Sequence, residues 1–169
     1  MSERGALILA SKSSHAHCQY GSTREGTTGT RDADAAAIAA KARNAWVEVW
    51  TAIRWDYFVR LRWHREAIDA ASANAHLERL QRDLHRTQPM LRLVAGVHSD
   101  PYPHAHGLVH LSRTQRAQVR TADECREWLQ PFWYHGTVWA QVYDATRRSP
   151  DHGGAIEYLA REPGSVVWG

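Results

Sequence analysis

Cysteine is scarce. Cys18 and Cys125 are the two in the chain, too few for a disulfide framework or a thiolate zinc site, so an intracellular, cytoplasmic protein is expected. Long apolar runs are missing too. No stretch approaches the ~20 residues that span a bilayer. The apolar run Ala6 to Ala10 is shorter than the apolar region of a signal peptide, about 7 to 15 residues. Neither a membrane nor a secreted role is expected. Lysine is the third shortage: Lys12 and Lys41 stand among 21 basic residues, leaving 19 Arg. No phosphate loop of the Gly-x-x-x-x-Gly-Lys type occurs, so an ATPase of that kind is not expected.

What is present is 11 His, 8 Trp and a formal charge of +3 on 169 residues. That length suits one domain. Arg forks match phosphate oxygens and stack on aromatic faces, so the balance permits a nucleic-acid partner. A GC-rich genome that writes Arg for Lys explains the same bias.

Ser11 to Asp32 is rich in Ser, Thr, Gly and Arg and nearly free of aliphatic side chains. Such a segment cannot offset its ordering entropy, so residues 1–33 read as a flexible tail and 34–169 as the folded domain. Asp34 to Trp50 reads as an amphipathic helix, with apolar positions at Ile38, Ala42, Trp46, Val49 and Trp50. From Tyr57 to Trp63 the period changes to two, the mark of a strand with one buried face. Glu66 to Leu84 is helical, Leu91 to His98 and His104 to Leu111 are strands, and Thr121 to Leu129 is a helix opened by a Thr121–Glu124 capping box. Gly136 to Tyr143 alternates as a strand, and Ala155 to Glu162 is a last short helix before Pro163. The order implies an α+β domain: an antiparallel sheet of about four to five strands with helices packed mainly on one face.

His104-Ala-His106 is the most informative triplet. On a strand, i and i+2 share a face about 6.5 to 7 Å apart, so two imidazoles can converge on one ion. The same spacing at His15 and His17 lacks strand flanks. His98 ends the preceding strand and reaches the same ion if the two strands are neighbours. The alternative for His98 is a solvated turn residue. His110 shares the face but lies roughly 13 Å further along.

Three segments resemble, in order, motifs of the HUH endonucleases, the His-hydrophobic-His enzymes of rolling-circle replication, transposition and transfer. Pro103 to Leu111 (PHAHGLVHL) is similar to the histidine motif. Tyr57 to Trp63 (YFVRLRW) resembles the first strand motif, with Arg at the usual Thr positions. Gly153 to Arg161 (GGAIEYLAR) resembles the Tyr-x-x-Lys helix, with Tyr158 as the tyrosine and Arg161 for the Lys. The resemblance covers about residues 45–165.

It implies that Tyr158 attacks a phosphodiester of single-stranded DNA or a hairpin origin, forming a 5′-phosphotyrosyl link and freeing a 3′-hydroxyl. It also implies a divalent ion, Mn or Mg, held by His104 and His106. The family's usual third ligand, a carboxylate eight residues before the first His, is Gly96 here, and His98 is the substitute. Arg161 replaces the charge of the Lys. Glu162 stands where some members carry a second tyrosine, as a base for water or as a solvated helix end. A single-stranded DNA groove would be lined by Arg60, Arg62, Arg92 and Arg113, with Trp55, Trp63 or Trp139 as stacking platforms; the alternative is a solvated face for the Arg and core packing for the Trp. Tyr143 and Tyr134 are competing nucleophiles. The expected activity is nicking and joining that initiates rolling-circle replication of a plasmid or phage-like element, with host helicase and replication proteins as partners. The alternative is a single-stranded DNA-binding module with a decayed active site. A zinc hydrolase would need a carboxylate base near the histidines.

Overall fold

The computed structural model describes residues 28–64, 68–88, 91–98, 103–149, 153–161 and 166–168. In chain order they form α1 (Thr28–Thr51), β1 (Tyr57–Trp63), α2 (Ala70–Thr87), β2 (Arg92–His98), β3 (His104–His110), α3 (Arg113–Gln118), α4 (Ala122–Leu129), β4 (Gly136–Val142), α5 (Ala155–Leu159) and β5 (Val166–Trp168). The strands make one five-stranded sheet in the order β4-β1-β3-β2-β5. Every pairing is antiparallel. This is the α+β architecture expected from the alternating periods. None of the described helices is long and apolar enough to cross a membrane.

Alternation sorts the strand residues onto two faces. On the first, Tyr57, Val59, Leu61 and Trp63 of β1 join Leu93, Ala95, Ala105, Val109 and Val138 beneath α2 and α4. Leu77, Leu80 and Leu84 of α2, with Cys125 and Leu129 of α4, close this larger core. Local signals set these helices. Asp69 caps α2 by accepting from Ser72 N at 2.8 Å, so α2 starts after Asp69 rather than at Glu66, which lies outside the described residues. Thr121 and Glu124 form the expected reciprocal capping box. A second box, Ser112 with Gln115, opens the six-residue α3, which is too short to show an apolar period.

The second face carries a smaller core. Trp50, at the end of α1, packs with Trp55, Val94 and Leu108 of the sheet side and with Ile156, Leu159 and Ala160 around α5. A five-residue helix has no independent stability. Each buried aliphatic contributes about 1.5–3 kcal/mol, so α5 is held in place by Ile156 and Leu159 and not by propensity. Gly153 shapes the approach to it, with φ +70 and a bridge to Ser149.

Three expectations need correction. α1 begins at Thr28, inside the segment read as tail; residues 1–27 lie outside the described ones. Its apolar stripe is only partly used: Trp50 is buried, while Ile38 is 70% and Val49 47% exposed. Finally, α5 ends at Leu159, so Arg161 sits in the turn beyond it. β5, with only three residues, carried no readable alternation.

Candidate active site

Register brings the histidines together. His104 pairs with His98 on one side and Arg62 on the other, and His106 pairs with Gly96 and Arg60. Directly paired residues share a face, so Arg62, His104 and His98 form one rung across β1, β3 and β2. Arg60, His106 and Gly96 form the next. β4 extends both rungs, placing Thr137 beside Arg62 and Trp139 beside Arg60. All lie on the second face, toward the start of β3.

The ring centroids of His104 and His106 are 4.6 Å apart, and His98 lies 5.2 Å from His106 and 5.7 Å from His104. α5 lowers Tyr158 onto this group. Its ring stacks on His98 at 4.5 Å, with 21° between the planes, and stands 5.3 Å from His106. Phe58 flanks His106 from the inner side at 5.2 Å. The helix that the smaller core anchors therefore sets the tyrosine over the histidine rungs.

Electrostatics at His106 point one way. Burial, then the neighbouring His104, His98 and Arg60, push its pKa down to about 3. It is neutral at any physiological pH, and its Nδ1 is buried with no hydrogen-bond partner. Every charge contributing to that shift is cationic, which disfavours a second proton and favours an anion nearby.

The divalent ion implied by the resemblance can be tested against these donors. Two imidazoles that each place a nitrogen ~2.1 Å from one ion have ring centres roughly 4.5 to 5.3 Å apart. His104 and His106 meet that spacing, and the partnerless Nδ1 of a neutral His106 suits a ligand. Among the described residues no set of three His, Cys, Asp or Glu is gathered on one ion position. His98 lies against the tyrosine ring, and Gly96, on the His106 rung, offers no donor.

The remaining candidates divide. Arg60 and Arg62 are exposed on the site's rungs, and the Arg60 guanidinium lies 5.7 Å from the Trp139 ring centre. Arg161 is exposed just past α5. Glu162 lies outside the described residues. Arg92 pairs with His110, six residues along β2 from His98 and so about 20 Å away; Arg113 opens α3 beyond that same far end. Neither is brought beside the histidines. His110 Nδ1 donates to the Arg54 carbonyl and sits 3.3 Å from Arg116 Nη2, which occupies it elsewhere. Of the Trp candidates, Trp55 and Trp63 are buried, whereas Trp139 is 45% exposed. Tyr143 packs into the smaller core, and Tyr134 meets Arg79 and His135.

A second histidine pair forms between α2 and the turn before β4. His76 of α2 and His135, before β4, stack face to face at 3.5 Å and 8°. Trp63 Nε1 donates to His76 Nδ1 at 3.0 Å. Nothing in the spacing of two residues so far apart in sequence announces such a contact. Comparison with protein-family models, curated proteins and solved structures finds no match for this chain.

Proposed function

We propose that this protein nicks and rejoins single-stranded DNA, with Tyr158 as the nucleophile. The observation that carries the reading is the convergence of Tyr158 from α5 with His98, His104 and His106 from two neighbouring strands. Alternation within a strand can put two histidines on one face; it cannot bring a tyrosine from a separate helix over them.

The chemistry is covalent catalysis in two reversible steps. The Tyr158 phenolic oxygen attacks phosphorus, the bond to the 3′ oxygen breaks, and the phenolic proton ends on that departing oxygen. The products are a 5′-phosphotyrosyl link and a free 3′-hydroxyl. Attack by a 3′-hydroxyl reverses the step and reseals a strand. His104 and His106 would hold a divalent ion, Mn or Mg, which when bound polarises a phosphate oxygen. Arg60 and Arg62 supply fixed positive charge on the same rungs, and their forks suit phosphate oxygens. Arg161, past the end of α5, can clamp a flanking phosphate. A rolling-circle initiator of a plasmid or phage-like element, working with a host helicase in the cytoplasm, is the setting such chemistry serves.

A second reading has its own support. Gly96 stands where a carboxylate would complete the donor set, and among the described residues three donors are not assembled. The same surface would then bind single-stranded DNA without cutting it. One experiment separates the two. With Mn or Mg and single-stranded oligonucleotides carrying a hairpin, the cleaving protein forms an adduct that survives denaturation, and Tyr158→Phe abolishes it while binding persists. Salt-sensitive binding with no adduct and no metal dependence selects the second reading. An adduct that persists in Tyr158→Phe removes Tyr158 from the role.

A further inference from the structure

We infer that Trp139 and Arg60 form a nucleobase platform beside the histidine rungs, which receives one unpaired base of the strand whose phosphate the site holds. The inference rests on the single-stranded DNA reading above and deepens it by naming where a base is held.

Trp139 sits at the middle of the edge strand β4, on the rung that continues through Arg60 to His106. Neighbouring strands lie about 4.8 Å apart, so the indole starts roughly 10 Å across the sheet from His106, a span of one to two nucleotides. The chain has the means to bury an indole: Trp50 and Trp133 are fully buried, and Trp55 and Trp63 nearly so. Trp139 is instead 45% exposed, and Arg60, Arg62 and Thr137 around it are exposed as well. The guanidinium of Arg60 lies over the Trp139 ring, 5.7 Å from its centre, so a cation already sits against the π surface. That combination suits a flat base over the indole with its phosphate beside the guanidinium. Stacking accepts any base but needs it out of a duplex, so the platform selects single strands by structure and not by sequence.

The test uses the full chain carrying Tyr158→Phe, without metal, so that cleavage plays no part. Binding is measured for an oligo-dT strand and for an abasic strand of equal length and charge, over a salt series. The expected result is that Trp139→Ala weakens oligo-dT binding about tenfold, on the scale of one lost base stack. Abasic binding and the salt slope stay unchanged, and Trp139→Phe retains most of the affinity. Arg60→Ala should weaken both strands and lower the salt slope by about 0.7, the value for one phosphate contact on a single strand. If Trp139→Ala leaves oligo-dT binding intact, or weakens both strands equally, there is no platform, and the nicking reading stands apart from that outcome. If the parent chain binds neither strand, the DNA reading itself falls with it.

Discussion

Gly136→Ala would remove more stability than its single methyl group suggests. Gly136 opens β4 opposite Trp63, and a Cβ there would lie 1.7 Å from the Arg62 carbonyl oxygen, 2.7 Å from its carbon and 2.9 Å from Trp63 Cα. These are backbone atoms of a strand paired on both sides, so no side chain can swing away. Gly153 is the described glycine with positive φ, so the demand at Gly136 is for space and not for a left-handed backbone. Relief requires β4 to move off β1 by roughly 1.8 Å, given that nonbonded atoms sit comfortably at about 3.5 Å. That displacement strains the bonds gathered at this corner: Trp133 Nε1 to the Arg62 carbonyl at 3.2 Å, Gln130 Nε2 to the Gly136 carbonyl at 2.9 Å, and His64 N to the His135 carbonyl at 2.9 Å. Each is worth ~1 kcal/mol, and overpacking adds about 1–3 kcal/mol. With all three bonds lost, a loss of about 4–6 kcal/mol follows. Urea unfolding would read it as a lower midpoint at unchanged slope, with the exposed neighbour Thr137→Ala as a control that moves little. A loss below ~1 kcal/mol would refute the account of this corner, since the strand would then yield at almost no cost.

The same corner carries a pH prediction. Burial lowers the pKa of His76 and of His135 below 6.5, with Arg79 acting in the same direction on both and His76 on His135, and Asp69 opposes the shift at His76. The unfolded chain therefore binds more protons below pH 6.5, so the stability is present above that pH and lost as pH falls. His106 adds to the trend. Urea midpoints should drop between pH 7.5 and 5.5, and His76→Gln should flatten that drop; an unchanged slope in the variant would clear the pair of the effect. Cys125 is fully buried and its thiol is pushed up to about 12, mainly by burial and then by Asp56. A Cys18→Ser chain should accordingly show no reaction with a thiol reagent at pH 8 until denaturant is added, and prompt native-state labelling would contradict the packing around α4.

Much of the fold was legible because its signals are local. The period-two runs at Tyr57–Trp63 and His104–His110 are strands, and the Thr121–Glu124 box opens a helix, since alternation and capping act over two to four residues. Where tertiary contacts dominate, the local signal misled. Ile38 and Val49 look like part of a buried stripe, yet only the Trp46 and Trp50 end of α1 meets the sheet. The run after Gly154 looks like a helix through Glu162, yet the helix ends at Leu159 and the buried run closes at Ala160.

For the candidate site, the one-dimensional chain determined that His104 and His106 share a face, because side chains on a strand alternate whatever surrounds them. It also set the Arg-rich, Lys-poor chemistry of Arg60 and Arg62 on one side of β1. Tertiary structure decided which strands are neighbours. The pairing of His98 with His104 and of Arg60 with His106, the seat of Tyr158 on His98 and the exposure of Trp139 all depend on register between segments distant in sequence. The stack of His76 on His135 depends on contacts of the same kind, between a helix and a turn. Register and docking are set by the burial of two cores, a property of the assembled chain that no short window of residues contains.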